Sequence, residues 1–260
     1  MKAWLAWSSG KDSAWSLHVL RREGRVEVVG LLTTLSAPRD RVAMHDVRRE
    51  LLLAQGDALG LPLHEVALPD PCPNEAYEAA MREALEAARG EGVGAVAFGD
   101  LFLEDIRAYR EAQMAGTGLG ALFPLWGRET AGLAREMVAG GLRARLTCVD
   151  TRRLDGSFAG REFDLALLEA LPAGVDACGE RGEFHTFAWD GPGFERRVGH
   201  RVGPTRERDG VVYVDLMLEG REVGGSGAAG GSRANRNAPM EDSVPAPPAG
   251  RDVGRRRGEA

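Results

Sequence analysis

The chain has 260 residues, of which 43% are hydrophobic and 28% are charged, and its formal net charge is −6. This composition is typical of a globular protein, and the acidic balance argues against a nucleic-acid surface, which needs clustered positive charge. No apolar stretch reaches the roughly 18 residues that a membrane-spanning helix needs. The cysteines Cys72, Cys148 and Cys178 are dispersed, which supports neither disulfides nor a cysteine-based metal site. We therefore predict a cytoplasmic protein with no membrane or nucleic-acid partner.

A loop that suits an anion follows the first predicted strand. The apolar run at residues 3–7 predicts this strand, and a helical pattern begins shortly after it. At a helix start the unpaired N–H groups and the helix dipole favour negative charge. Lys11 adds a point charge, and it is one of only two lysines among the 33 basic residues. The plainer alternative is a turn that only caps the helix. The residues that we predict to bind phosphate are Ser8, Ser9, Gly10, Lys11, Asp12 and Ser13.

This loop differs from a Walker A motif. That motif needs a glycine five places before its Gly-Lys pair and Ser or Thr directly after the lysine, where this chain has Leu5 and Asp12. The loop resembles instead the Ser-Gly-Gly-x-Asp-Ser loop of the N-type ATP pyrophosphatases, which transfer AMP to a substrate oxygen and release pyrophosphate. Ser9 replaces the first loop glycine. If that position needs a positive φ, the serine costs on the order of 1 kcal/mol.

Strands and helices alternate from this loop to about residue 120. Predicted strands cover residues 26–34, 63–68 and 93–98, and predicted helices cover 45–59, 74–89 and 104–115. This alternation predicts an α/β protein with a doubly wound parallel sheet, which binds ligands at the carboxyl ends of its strands. We assign residues 1–120 to a nucleotide-binding domain of this kind.

The rest of the chain has a different pattern. A strand at 142–149 and a helix at 162–171 precede shorter strands at 184–189, 194–202 and 211–218. Gly-Pro and Asp-Gly turns separate the last three strands. We predict that residues 121–220 form a smaller α+β lobe that binds substrate. Residues 221–260 are rich in Gly, Pro, Ser and Arg and nearly lack large apolar side chains, which predicts a disordered tail.

Polar residues gather after the strand that we predict at 93–98. Gly99 and Asp100 follow it at the edge of the sheet where ligands bind, so Asp100 is placed to hold Mg²⁺. Glu104, Tyr109 and Arg110 lie on the next predicted helix and are candidates for substrate contacts. The structural alternative is a helix cap at Asp100 and a surface ion pair from Glu104.

A second polar cluster lies at residues 178–187. Its two glycines allow unusual backbone angles, and it includes Glu180, Glu183, His185 and Thr186. In a strand Glu183 and His185 would share one face, which we expect to enter the active cleft. Such a segment suits contact with an acceptor substrate or with ammonia. A glycine-rich hairpin entry with a solvated charged face is the alternative.

Four segments appear together in an order that resembles the diphthine–ammonia ligase family. They are residues 8–13, 99–111, 122–126 and 179–187. This family is also called the ATP-binding domain 4 family, and it lies in the HUP or adenine nucleotide α-hydrolase-like superfamily. The likeness spans roughly residues 1–220. It implies a ligase that adenylates a carboxylate and lets ammonia displace AMP, and in the family that carboxylate belongs to diphthine in elongation factor 2.

The resemblance also implies cofactors and roles for particular residues. ATP and Mg²⁺ are the implied cofactors, with the metal on Asp12 and Asp100 and the pyrophosphate on the loop at residues 8–13. The implied adenine contacts are at Thr33, Thr34 and Leu35. The implied catalytic residues are Lys11, Asp12, Glu183 and His185. The implied substrate-binding residues are Glu104, Tyr109, Arg110, Glu180, Glu183 and Thr186.

Other readings of the sequence stay open. The acceptor can be diphthine or a different carboxylate, on a protein or a small molecule, and the chain can be a monomer or a homodimer. An ATP pyrophosphatase that modifies tRNA or a small molecule is one alternative, although the dispersed cysteines and acidic charge argue against the tRNA enzymes. A sensor that holds ATP or AMP without turnover is the other, and the acidic residues near Glu183 argue against it.

Overall fold

The computed structural model describes residues 1–220, and the predicted tail lies outside the described residues. The first of two sheets is mixed and mostly parallel. Its strands are β1 (Lys2–Ala6), β2 (Glu27–Ser36), β3 (Arg41–Val42), β4 (Leu63–Leu68), β5 (Ala95–Ala97) and β6 (Gly120–Leu122). β1 pairs in parallel with β2 and β5. β4 pairs in parallel with β2 and β6 with β5, whereas β3 is antiparallel to β2.

Helices cover both faces of this sheet. On one face Trp4 of β1 packs in a cluster with Met81 of α3. On the other face Leu5 of β1 lies in a cluster with Trp15 of α1 and Leu51 of α2. Burial on both faces is what a parallel sheet with alternating helices requires, and it confirms the predicted doubly wound α/β class. The helices are α1 (Lys11–Glu23), α2 (Arg49–Leu59), α3 (Asn74–Gly90), α4 (Glu104–Met114), α5 (Thr130–Ala139) and α6 (Leu165–Ala170).

The second sheet is antiparallel and lies in the C-terminal part, as the α+β pattern predicts. Its strand order is β8-β7-β10-β9. Asp209 and Gly210 join β9 to β10 with φ values of 52° and 76°, which is the geometry of a type I′ hairpin turn. The strands are β7 (Arg143–Asp150), β8 (Phe184–Asp190), β9 (His200–Arg208) and β10 (Val211–Leu218).

One hydrophobic core serves both sheets. Trp7, directly after β1, and Trp15 of α1 belong to the same buried cluster as Leu146 of β7 and Phe187 of β8. Within residues 1–220 no helix has both the length and the apolar character that crossing a membrane requires.

Some element boundaries differ from the prediction. The helix expected at 45–59 begins only at Arg49, because His45 and Asp46 belong to a turn in which Arg41 donates to the Asp46 backbone carbonyl at 2.7 Å. The strand expected at 194–202 begins only at His200. Periodicity alone extended both elements into neighbouring turns.

Candidate active site

The phosphate loop, residues 8–13, follows β1 and runs into the first turn of α1. Ser9 has a φ of 68°, so the position does need a left-handed backbone and the expected strain at this serine is present. Gly10 is extended and precedes α1, and no side chain caps that helix. A Cβ on Gly10 would lie 2.7 Å from His45 Cε1 and 3.2 Å from the Thr186 carbonyl oxygen. Gly10 is therefore needed for close approach.

Neighbouring elements fix the loop from outside. The Gln55 amide donates to the Ser9 carbonyl at 3.0 Å and to the Ala188 carbonyl at 2.6 Å, and it accepts from the Trp7 indole at 2.9 Å. The Lys11 amide donates to Thr186 Oγ1 at 3.0 Å. Sequence reasoning missed Gln55. The sequence signal for Gln55 is that a polar residue occurs on the apolar face of α2, where the side chain is fully buried.

The Lys11 ammonium points inward, toward the second sheet. Its side chain is 2% exposed, and Nζ donates to Asp12 Oδ2 at 2.8 Å and to the Cys178 carbonyl. The rings of Phe163 and Phe184 lie 5.6 and 5.5 Å from Nζ. Burial by itself would lower the Lys11 pKa, but the charge and hydrogen bond of Asp12 outweigh it and the pKa lies above the ordinary value. Lys11 therefore stays charged.

The carboxylates of Asp12, Asp100 and Glu180 come from separate segments and lie near one another. Burial raises the pKa of Asp100, and the negative charge of Asp12 adds to the rise. Burial, together with the charges of Asp12 and Asp100, raises the pKa of Glu180 to about 7, although its Oε1 accepts from the Leu101 amide at 2.8 Å. Asp12 Oδ1 and Asp100 Oδ2 are buried without a hydrogen-bond partner. Unpartnered carboxylate oxygens of this kind suit a bound cation.

Of the other residues predicted to bind substrate, Arg110 lies near Asp100, whereas Tyr109 and Glu104 lie in different surroundings. A Cβ on Gly99 would lie 3.2 Å from the backbone of Asp12, which explains the glycine there. Arg110 Nε lies 3.9 Å from Asp100 Oδ2. By contrast, Tyr109 accepts from Gln113 and lines a groove between α3 and α4, and Glu104 is exposed in the first turn of α4.

The acidic loop, residues 176–183, uses two carboxylates to bind its own backbone. Asp176 Oδ1 accepts from the amides of Cys178 and Glu180 at 2.9 and 3.1 Å. Glu183 is buried, and its two oxygens accept from the amides of Asp176 and Arg181 at 3.1 and 3.0 Å. Sequence reasoning missed Asp176. Glu183 precedes β8 rather than lying in it, so its carboxylate faces its own loop.

His185 and Thr186 reach the phosphate loop from β8. The His185 ring lies 4.6 Å from the ring of His45, whose Nδ1 is 3.0 Å from the Thr186 carbonyl oxygen. Burial lowers the pKa of His45 to about 4 and that of His185 well below its ordinary value, and the nearby Lys11 charge lowers both. Both rings are therefore neutral at pH 7.

The segment with the predicted adenine contacts lies inside β2. Thr33, Thr34 and Leu35 pair with β4, and Leu35 also pairs with Val42 of β3. The Thr33 hydroxyl donates to the Trp7 carbonyl at 2.8 Å. The adenine contacts remain a prediction.

These elements define an α/β protein with an anion-suited loop between its first strand and first helix. Family models of the diphthamide synthase N-terminal and C-terminal domains match residues 1–119 and 129–208. The chain therefore belongs to the diphthamide synthase family.

Two curated relatives are both named diphthine–ammonia ligase. The diphthine–ammonia ligase of Danio rerio is 27% identical over 216 residues, which cover 74% of this chain and 83% of that protein. The diphthine–ammonia ligase of Mus musculus is 26% identical over 214 residues, with 74% and 79% covered.

Proposed function

We propose that this chain is a cytoplasmic ATP-dependent ligase that converts a substrate carboxylate into an amide. In the first step the carboxylate oxygen attacks the α-phosphate of ATP, forming an acyl adenylate and releasing pyrophosphate. In the second step ammonia attacks the acyl carbon, AMP leaves, and the nitrogen loses a proton. The names of the two relatives support diphthine as the carboxylate and ammonia as the nucleophile.

One observation carries the proposal: the phosphate loop and the acidic loop meet at a single buried ammonium. Lys11 belongs to the first loop and donates to the Cys178 carbonyl of the second, while Thr186 Oγ1 accepts from the amide at the start of α1. These contacts support a site for departing pyrophosphate that adjoins a site for the acceptor. Reacting groups held together in this way need little reorganisation.

The phosphate loop has the chemistry to bind the departing pyrophosphate. Gly10 gives α1 no side-chain cap, and within residues 1–220 only the Lys11 amide of the first turn is taken up, by Thr186 Oγ1. The next N–H groups of that turn and the helix dipole favour an anion. Lys11 is charged, and a bound pyrophosphate oxygen would compete with the Cys178 carbonyl for it. Stabilising the charge that develops on a leaving group is a strong form of catalysis.

Asp12 and Asp100 fit a Mg²⁺ ion that accompanies the nucleotide. Each has a buried oxygen without a hydrogen-bond partner. Among the described residues no group of three or more His, Cys, Asp or Glu forms an all-protein metal site. Magnesium in nucleotide enzymes usually takes one or two carboxylates and completes its shell with phosphate oxygens and water. When bound, it would neutralise phosphate charge during AMP transfer.

We assign the acceptor side to Glu180 and the start of β8, with Glu183 acting through the loop. Glu180 is held by one oxygen on the Leu101 amide, and its other oxygen has no hydrogen-bond partner among the described residues. His185 and Thr186 line the adjoining wall. Glu183 fixes the backbone on either side of Glu180 and is in this proposal a positioning residue.

The test follows the fate of a labelled oxygen. Elongation factor 2 bearing diphthine labelled with ¹⁸O in the carboxylate is incubated with ATP, Mg²⁺, ammonium and the protein. We expect one ¹⁸O atom in the AMP, equimolar pyrophosphate, and an amide on the acceptor. Asp57→Asn, an exposed site on α2, is the control.

Different outcomes separate the alternatives. Pyrophosphate release with a different carboxylic acid would keep the chemistry and change the acceptor. ATP binding without pyrophosphate release, with diphthine and with a panel of carboxylic acids, would make the protein a nucleotide sensor and overturn the proposal.

A further inference from the structure

The turn that contains His45 is strained. Met44 and Asp46, on either side of His45, have φ values of 64° and 56°, and neither is a glycine. Aspartate tolerates a left-handed backbone, but for a residue such as Met44 it costs on the order of 1 kcal/mol or more and persists only where surrounding contacts enforce it. Such residues cluster at functional sites, so the turn calls for an explanation.

A network of arginines enforces this geometry. Arg41 donates to the Asp46 carbonyl at 2.7 Å and to Asp46 Oδ2 at 3.2 Å, and Arg206 of β9 also binds that carboxylate. Asp215 of β10 accepts from Arg41 at 2.9 Å and from Arg48 at 2.9 and 2.6 Å. The second sheet therefore fixes a turn of the first part of the chain. These contacts hold the turn on both sides of His45.

The turn places the His45 ring against the phosphate loop. The ring lies so close to Gly10 that a Cβ there would come within 2.7 Å of Cε1. It contacts the His185 ring on one side, and its Nδ1 is 3.0 Å from the Thr186 carbonyl oxygen. His45 is thus a wall of the candidate site, although it is distant from the loop in sequence.

The hydrogen bond of the ring fixes what it can bind. A carbonyl oxygen only accepts, so Nδ1 carries the proton, and in a neutral ring Nε2 is then an acceptor. Nε2 has no hydrogen-bond partner among the described residues. Phosphate oxygens also only accept at neutral pH, so this nitrogen does not suit a phosphate. It suits an N–H or O–H group of a ligand.

We propose that His45 Nε2 accepts a hydrogen bond from a donor group on a substrate, either a ribose hydroxyl of the nucleotide or the attacking ammonia. The proposal rests on the proposed function, because that function supplies both substrates. The shared chemistry is a neutral donor beside the phosphate loop. A role in gripping phosphate is not part of it.

Nucleotide titrations test the ribose source. Calorimetry with ATP, 2′-deoxy-ATP and 3′-deoxy-ATP is performed in Mg²⁺ on the wild type and on His45→Ala. If a ribose hydroxyl is the donor, the wild type loses about 5- to 10-fold in affinity for one deoxy nucleotide, in line with one hydrogen bond. His45→Ala then binds ATP and that analogue equally. His45→Gln, whose side-chain oxygen can replace Nε2, restores part of the difference.

Steady-state kinetics test the ammonia source. If ammonia is the donor, His45→Ala raises the KM for ammonium about 5- to 10-fold while ATP affinity stays within 2-fold of the wild type. His18→Ala, the control for both measurements, removes a half-buried imidazole of α1 that is not part of the candidate site. Circular dichroism of each variant establishes that it is folded.

Two results would overturn the inference. One is an unchanged ammonium KM together with unchanged discrimination among the three nucleotides in folded His45→Ala. The other is a matching loss of affinity for inorganic pyrophosphate in that variant, which would make the ring a phosphate ligand. A wild-type protein that does not bind ATP at all would instead remove the proposed function and this inference with it.

Discussion

The phosphate loop and the acidic loop meet in one site but use their polar groups differently. In the phosphate loop Ser9 Oγ and Asp12 Oδ1 are buried without partners. In the acidic loop the carboxylates of Asp176 and Glu183 together accept four hydrogen bonds from backbone amides of that loop. A dense run of carboxylates is therefore not in itself a ligand surface. Here two of them shape the loop and Glu180 is left to face the site.

The largest effect on activity is expected at Asp100, whose buried Oδ2 has no hydrogen-bond partner and lies 3.9 Å from Arg110 Nε. Asp100→Asn removes a charge that the proposed Mg²⁺ needs, so Mg²⁺-dependent pyrophosphate release should fall by on the order of 100-fold. The melting temperature should stay the same or rise, because a buried charge is removed. Asp57→Asn, on the exposed face of α2, should change neither value. A large loss of melting temperature in Asp100→Asn would show that this carboxylate is structural.

Glu183 should behave in the opposite way. Glu183→Ala removes a buried carboxylate and leaves the amides of Asp176 and Arg181 without their acceptors, which costs about 2–4 kcal/mol, or roughly 5–15 °C in melting temperature. Glu183→Gln retains one acceptor and should lose less. Differential scanning calorimetry measures both.

Glu129→Ala is the matched control for Glu183. Glu129 also accepts from two amides, those of Ala131 and Gly132, but it is exposed and caps α5. We expect a loss of about 1 kcal/mol there and unchanged activity. Equal losses at Glu129 and Glu183 would contradict the buried, loop-fixing role of Glu183.

A smaller, pH-dependent effect is expected at Glu180. Its pKa is about 7 in the folded protein and about 4.3 in an unfolded chain, so its ionised form destabilises the fold. The cost is absent below about pH 4.3, grows as the pH rises, and is complete above about pH 7. Glu180→Gln removes it and should be more stable by about 1–3 kcal/mol above pH 7.

Thermal unfolding from pH 4 to pH 8, without nucleotide or divalent cation, measures this difference. The difference in stability between Glu180→Gln and the wild type should grow from about pH 4.3 to about pH 7 and stay constant from there to pH 8. The exposed Glu75→Gln on α3 should show no such gap. A gap that closes with rising pH would mean that the Glu180 carboxylate is stabilised by its surroundings.

The smallest effect is expected at Ser9. Ser9→Gly removes the strain of a positive φ and a buried hydroxyl without a partner, so a gain of about 0.5–1 kcal/mol is expected, equivalent to about 1–4 °C. Ser9→Ala removes the hydroxyl but keeps the strain. If the two variants melt together, backbone strain at Ser9 contributes nothing.

The sequence predicted the first half of the site better than the second. Strand, loop and helix order placed residues 8–13 and Asp100 at one edge of the sheet, and β4 and β10 were found with their observed bounds. Local signals sufficed because a loop between a strand and a helix forms from consecutive residues. β6 and α5 were missed, since a three-residue strand and a helix with little polar contrast lack a clear period.

The acidic loop and the His45 turn depend on distant partners. Nothing local shows that Glu183 binds its own loop or that Arg206 of β9 binds Asp46. The apolar spacing before Arg49 continued the helical pattern, but the ion pairs of Asp46 decide the backbone there. Tyr109 likewise lies on a helix that the sequence predicts, α4, but its side chain faces the groove between α3 and α4 rather than the phosphate loop.

The core shared by the two sheets has a practical consequence for anyone who divides the gene. The two family matches end and begin at residues 119 and 129, which invites expression of each half separately. Trp7 and Trp15 would then be separated from Leu146 and Phe187, with which they share one buried cluster, and both halves would expose apolar surface. We expect each half alone to aggregate and the two halves, expressed together, to assemble into a working pair.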